Sequence, residues 1–221
     1  MERTKKIAKV VGAIVGYFGV TLVLSLILYV MNISNESINT VAMVFISLFS
    51  TGFVIYCVRD KLKEQFDDLK GNFGKILLSS LKYWVIGYIL MVIANAIVIT
   101  LTGGIAPNQS ANQDMMDANL IYSIVAMCIC APIAEELLFR LNFRDLFENE
   151  RTFLIVTSLI FGAMHLVGTT ERLVDILFIL PYSVLGYTLG TAYVKNDNIF
   201  ASILMHAIHN TVAVLIMIFL V

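Results

Sequence analysis

Seven residues in the second half of the chain have types and spacings that could do chemistry on a peptide bond. They are Glu135, Glu136 and Arg140 in CAPIAEELLFRLNF, His165 in LIFGAMHLVG, and His206, His209 and Asn210 in ASILMHAIHN. All three stretches otherwise read as membrane core, where one charged side chain at a helix centre costs about 2.5–3.5 kcal/mol on insertion scales. Arg140 lies one helical turn beyond Glu136, so these two are expected to pair on one face. Glu135 then points about 100° away and is free to face another span. His206 and Asn210, four apart, share a face, and His209 lies within the same turn.

A carboxylate shielded from water is a stronger base and can take a proton from a water molecule, with an imidazole sharing or relaying it. A second imidazole and an amide supply donors for the oxyanion of a tetrahedral intermediate. In an alternative scheme Glu135, His165 and His206 hold a zinc ion whose bound water is the nucleophile, although the HExxH signature of many zinc peptidases is absent. No Ser or Cys is paired with a base, which argues against a covalent nucleophile. A rival class is a proton-coupled carrier with Glu135 and the histidines as a relay; no inverted repeat or pair of broken hydrophobic segments supports it.

The elements that must position these groups are membrane helices. Of 221 residues, 59% are hydrophobic and 14% charged, and the mean hydropathy is +0.86, which predicts an all-α, polytopic transmembrane bundle in a lipid bilayer. A net charge of −1 offers nucleic acid no attraction. Cys57, Cys128 and Cys130 sit in apolar stretches and read as buried small hydrophobes.

Spans of about 20 residues are predicted near 8–31, 39–58, 77–102, 120–142, 152–168, 175–194 and 199–220, seven in all. The first reads as a retained span rather than a signal peptide, since no small-residue cleavage site follows it. Basic residues (Arg3 to Lys9, Arg59 to Lys75, Arg144, Arg151, Lys195) cluster in connections that fall on one side, whereas NISNES and 103–119 contain none. The positive-inside rule puts the N-terminus in the cytoplasm. Leu62, Phe66, Leu69 and Phe73 recur at helical spacing, predicting a short interfacial helix. The polar, Gly/Pro/Asn-containing 103–119 reads as a loop. One membrane domain over 1–221 suffices, with a polar catalytic cavity between spans four, five and seven.

EELLFR, FGAMH and HAIHN, in this order, resemble the EExxxR, FxxxH and HxxxN motifs of the CPBP family of intramembrane proteases. That family includes the type II CAAX prenyl endopeptidases and bacterial Abi-type proteins linked to bacteriocin processing or self-immunity. The likeness covers about 120–215, and LGYTLGTAYVKNDNIFASI resembles the family's glycine-containing sixth helix and connector. It implies that Glu135 and His165 activate water, that His206 and Asn210 stabilise the oxyanion, and that Glu136 joins the catalytic set while it and Arg140 organise the site. Both a zinc-dependent and a metal-free glutamate mechanism are attributed to the family. Leu141 stands where the family often has Gly, and His209 where a smaller residue or an amide is usual. The resemblance also implies a bacterial cell-membrane location and a peptide or membrane-protein substrate, and the position of the site in the cytoplasmic half suits a substrate reaching it from the inner leaflet. A non-catalytic immunity or scaffold role is the alternative within the family.

Overall fold

The computed structural model of the protein describes residues 2–220, so positions 1 and 221 of the expected single domain lie outside the described residues. The chain is helical, with no β-strand among the described residues. Its α-helices are α1 (Glu2–Met31), α2 (Glu36–Thr102), α3 (Pro107–Ala118), α4 (Leu120–Val125), α5 (Ala131–Glu136), α6 (Glu150–Met164), α7 (Ile179–Asn196) and α8 (Ile199–Leu220). A π-helical segment, π1 (Ala126–Cys130), joins α4 to α5, and a second, π2 (Leu137–Leu141), follows α5. Among the described residues, five helical runs are long and apolar enough to cross a membrane. One of them, α2, covers both the second and the third predicted spans, while the fifth span corresponds to the fifteen-residue α6.

The 67-residue α2 cannot be one straight rod. Straight, it would hold Thr40 and Thr102 roughly 93 Å apart. Yet Asn119 Nδ2 donates to Thr40 Oγ1 at 2.5 Å, and the chain from Thr102 through α3 to Asn119 reaches no more than about 40 Å. The helix therefore doubles back. Its first leg sets Val54 and Val58 against Leu137 and Leu141. Its last leg runs antiparallel to α7: Ser80 accepts from Asn196, Gly87 lies against Thr188, and Val98 packs with Phe178. The turn between the legs is the predicted interfacial segment, helical as its spacing indicates. Leu69 there is buried, Phe66 packs on Phe200, and Gln65 Oε1 accepts the Ile199 backbone N–H at 2.6 Å.

The connections expected to share a side do meet. At the basic end Lys61 pairs with Asp145 at 2.5 Å, and Asp68 accepts from Asn198. At the other end Arg172 bonds both Asp175 and the Thr102 carbonyl. The expected loop over 103–119 is different: most of it is α3. Pro107 suits the first helical turn because its missing N–H would be unpaired there in any case. Met116, on the inner face, packs with Met127, Val214 and Met217. Polarity, read from the sequence as a loop, is here the wet face of a helix.

Helices α6 and α7 approach closely because Gly162 and Gly186 lie between them. A Cβ on Gly162 would come within 2.7 Å of the Ile179 carbonyl and would also meet the Ser183 hydroxyl. Small residues of this kind let membrane helices pack backbone to backbone. Replacing Gly162 with Ala is expected to lower the melting temperature in detergent by roughly 3–10 °C, the effect of overpacking by about 1–3 kcal/mol. Gly12→Ala, with open space around it, should leave the melting temperature unchanged or raise it; equal losses in the two variants would contradict this packing.

Candidate active site

The helix of the fourth span carries the two carboxylates between two irregular turns, and Pro132 accounts for the first of them. It has no N–H, and its ring would clash with the carbonyl four residues earlier in an α-helix. The chain instead takes the wider π register over π1, with the Ala131 N–H bonded to the Ala126 carbonyl five residues back. In that register the Met127 carbonyl would be matched to Pro132, which has nothing to donate. Asn210 Nδ2 on α8 fills the vacancy at 2.8 Å. A second π turn follows, closed by Asn142 N–H to the Leu137 carbonyl at 3.0 Å. Single π turns of this kind occur often at functional sites.

Between them, α5 sends Glu135 and Glu136 to different places. Glu136 is fully buried. Arg140 Nη1 donates to its Oε1 at 2.9 Å, the pair implied by their spacing, and His206 Nδ1 contacts the same oxygen at 2.9 Å. Ser202 donates to Oε2. An ionised carboxylate only accepts, so Nδ1 of His206 carries a proton and its Nε2 is left for the cavity. Arg140 is held in turn by the Gly186 carbonyl at 3.3 Å, with its guanidinium 4.4 Å from the Phe161 ring centre. A Cβ on Gly186 would stand 3.2 Å from Arg140 Nη2 and 3.0 Å from the Phe161 ring. Glu136, expected among the catalytic groups, thus lies behind His206 and does not line the cavity.

Glu135 lines a cavity of about 460 Å³ together with His165, His206, His209 and Asn210. Its carboxylate accepts no side-chain hydrogen bond from a described residue. His165 caps α6, and its Nδ1–H donates to the Phe161 carbonyl at 2.8 Å. A carbonyl cannot donate, so this bond fixes the tautomer and leaves Nε2 as an acceptor. The imidazole is clamped between Phe161 and Tyr182, ring centres 4.5 and 4.4 Å away. Asn210 keeps one amide N–H beyond the one given to Met127. His209 stands edge-on to Tyr88 at 5.9 Å, and its buried Nδ1 has no hydrogen-bond partner.

The cavity is wider than the expected junction of spans four, five and seven. It also draws Tyr17 from α1, Tyr88 and Asn95 from α2, Asn108 from α3 and Pro181 from α7. The zinc scheme does not fit this arrangement. Among the described residues no three His, Cys, Asp or Glu side chains stand close enough to hold a metal ion, so Glu135, His165 and His206 share a cavity without forming a ligand set. Ser202 was missed by sequence reasoning. Its signal was available, because it sits four residues before His206 and hence on the same face.

Comparison with known proteins agrees with this part of the chain. Residues 117–212 match the family described as Type II CAAX prenyl endopeptidase Rce1-like. The chain is 32% identical over 120 residues to "UPF0177 protein YaiH" of Lactococcus lactis subsp. lactis (strain IL1403), covering 54% of this chain and 48% of that protein. It is 27% identical over 146 residues to "Putative membrane peptidase YdiL" of Bacillus subtilis (strain 168), covering 65% of this chain and 50% of that one. "UPF0177 protein YxdF" of the same Lactococcus strain is 24% identical over 132 residues, covering 57% of this chain and 71% of YxdF. The matches thus span about half the length of the first two relatives. No solved structure gives a significant match.

The buried pair predicts an asymmetry in stability. Arg140→Met alone leaves the Glu136 charge without its main partner and should destabilise by about 3–5 kcal/mol. Arg140→Met combined with Glu136→Gln removes both charges and should recover a large part of that loss. Thermal unfolding in detergent reads the difference; a double variant no more stable than the single one would contradict a charge-paired Glu136.

Proposed function

Because the chain belongs, through residues 117–212, to the CPBP family that contains the type II CAAX prenyl endopeptidases, we propose that it is an intramembrane endopeptidase. Its substrate would be a peptide or membrane protein, with Glu135 as general base. The observation that carries this reading is the division between adjacent carboxylates: Glu136 is consumed by three donors, while Glu135 faces a cavity shared with three imidazoles.

In this reading an extended peptide lies in the cavity beside Glu135, and the carboxylate removes a proton from a water whose oxygen attacks the scissile carbonyl carbon. The negative charge forming on the carbonyl oxygen is met by the free N–H of Asn210 and by Nε2–H of His206. In this scheme His206 acts as an imidazolium, donating from both nitrogens, to Glu136 through Nδ1 and to the oxyanion through Nε2. His165, an acceptor at Nε2, receives the proton and hands it to the departing amine nitrogen. The C–N bond breaks, and the products are a carboxylic acid and an amine. Each role is of a kind that usually contributes two or more orders of magnitude. No step passes through a metal ion.

The test is cleavage of quenched fluorescent peptides by purified protein in detergent. Glu135→Gln and His165→Ala are each expected to lower kcat by about 10²–10⁴, and Asn210→Ala by about 10–10³. Equal turnover by wild type, Glu135→Gln and His165→Ala would overturn the reading.

A further inference from the structure

Beyond the histidines the cavity continues to the end of the bundle that carries α3. Four amide side chains line this part: Asn95 on α2, and Asn108, Gln109 and Asn112 on α3. Asn108 donates to the Tyr182 hydroxyl at 3.5 Å; the side chains of Asn95, Gln109 and Asn112 have no hydrogen-bond partner among the described residues, although Asn95 lies within an apolar membrane helix, where an unpaired amide is costly. The thioethers of Met127 and Met217 line the same cavity and pack with Met116 of α3. Among the described residues, the charged or readily charged groups lining the cavity besides Glu135 are the three histidines, and no Lys, Arg or Asp does so. At the opposite, basic end the core is filled by packed side chains, among them Phe153 and Ile199, neither with measurable exposure.

An extended polypeptide presents an N–H and a C=O at each residue, and each must be paired when it leaves water. Asn and Gln can both donate to a carbonyl and accept from an N–H, so they suit a backbone whatever its sequence. Methionine adapts to apolar side chains of varied shape. A wall free of charges gives a charged substrate side chain nothing to pair with.

Building on the peptidase reading, we propose that this outer part of the cavity is a binding channel for an uncharged, apolar stretch of extended polypeptide. Asn95, Gln109 and Asn112 hold its backbone, the methionines hold its side chains, and it enters at the α3 end. That end is opposite the basic connections, so under the positive-inside rule the substrate arrives from the outer face. The entry expected from the sequence, from the inner leaflet, is the alternative route.

The probe is a fluorescent ten-residue peptide of Ala, Leu and Met, compared with an N-methylated copy and a copy carrying a central Lys. Binding is measured by anisotropy to the Glu135→Gln variant of the whole 221-residue chain, and cleavage separately with Glu135 intact. The channel predicts that N-methylation, the added Lys, and Asn95→Leu with Asn112→Leu each raise Kd about tenfold or more, while Asn95→Gln restores part of the loss. The two peptide comparisons use unaltered channel residues and so stand even if the Leu variants do not fold. Equal Kd for the plain, N-methylated and Lys-bearing peptides would overturn the channel, whether or not cleavage depends on Glu135. Amide-dependent binding without Glu135-dependent cleavage would uphold the channel and remove the peptidase reading. In membrane vesicles of known orientation, the peptide should be bound when added at the α3 face; binding only from the basic face would overturn the entry route.

Discussion

A carboxylate with no exposure to solvent, inside a bundle that is itself apolar, must find donors from the protein alone. Glu136 finds three, and they come from two directions: Arg140 from the next turn of its own helix, Ser202 and His206 from α8. Much of the core follows from this requirement. Arg140 needs the Gly186 carbonyl and the Phe161 ring, which fixes α7 and α6 against the same point. Residue 186 must then be small, since a Cβ would press on both the guanidinium and the ring. Satisfying one buried charge therefore gathers four helical elements and turns His206 so that one nitrogen faces the cavity.

The second constraint is Pro132. A proline within a membrane helix leaves a carbonyl unpaired, and in lipid an unpaired carbonyl has no water to turn to. The π turn before it transfers the deficit to Met127, and the Asn210 amide meets it. Asn210 is thus held by a backbone defect in the helix that carries Glu135. A groove-lining amide and the proposed base are located relative to each other through a single hydrogen bond.

Much of this was legible in the residues. The hydropathy marked the membrane helices, the offset between Glu136 and Arg140 implied their pair, and the basic connections that were grouped by charge do cluster at one end. What was not legible depended on contacts between distant segments. The local offset to Arg140 already separates Glu136 from Glu135, but the further partners of Glu136, Ser202 and His206, lie on α8. Ser202 was passed over because a serine in a membrane helix is common, usually bonded to its own backbone, as Ser158 is here. The stretch 103–119 has loop-like composition, and its helical form is supported by burial of Met116. The continuity of α2 could not be read from hydropathy, which reports the apolar legs and breaks at the charged turn between them. The zinc set failed for a geometric reason: three residues of the right type share a cavity without converging.

The central claim is that two neighbouring carboxylates do different work, one on the substrate and one on the protein. It is tested most directly by comparing Glu135→Gln with Glu136→Gln for turnover of one peptide and for melting temperature in the same detergent. The account predicts that Glu135→Gln loses kcat while its melting temperature stays near that of the wild type, and that Glu136→Gln loses stability together with turnover. A Glu136→Gln protein as stable as wild type, or a Glu135→Gln protein that still turns over at the wild-type rate, would contradict it.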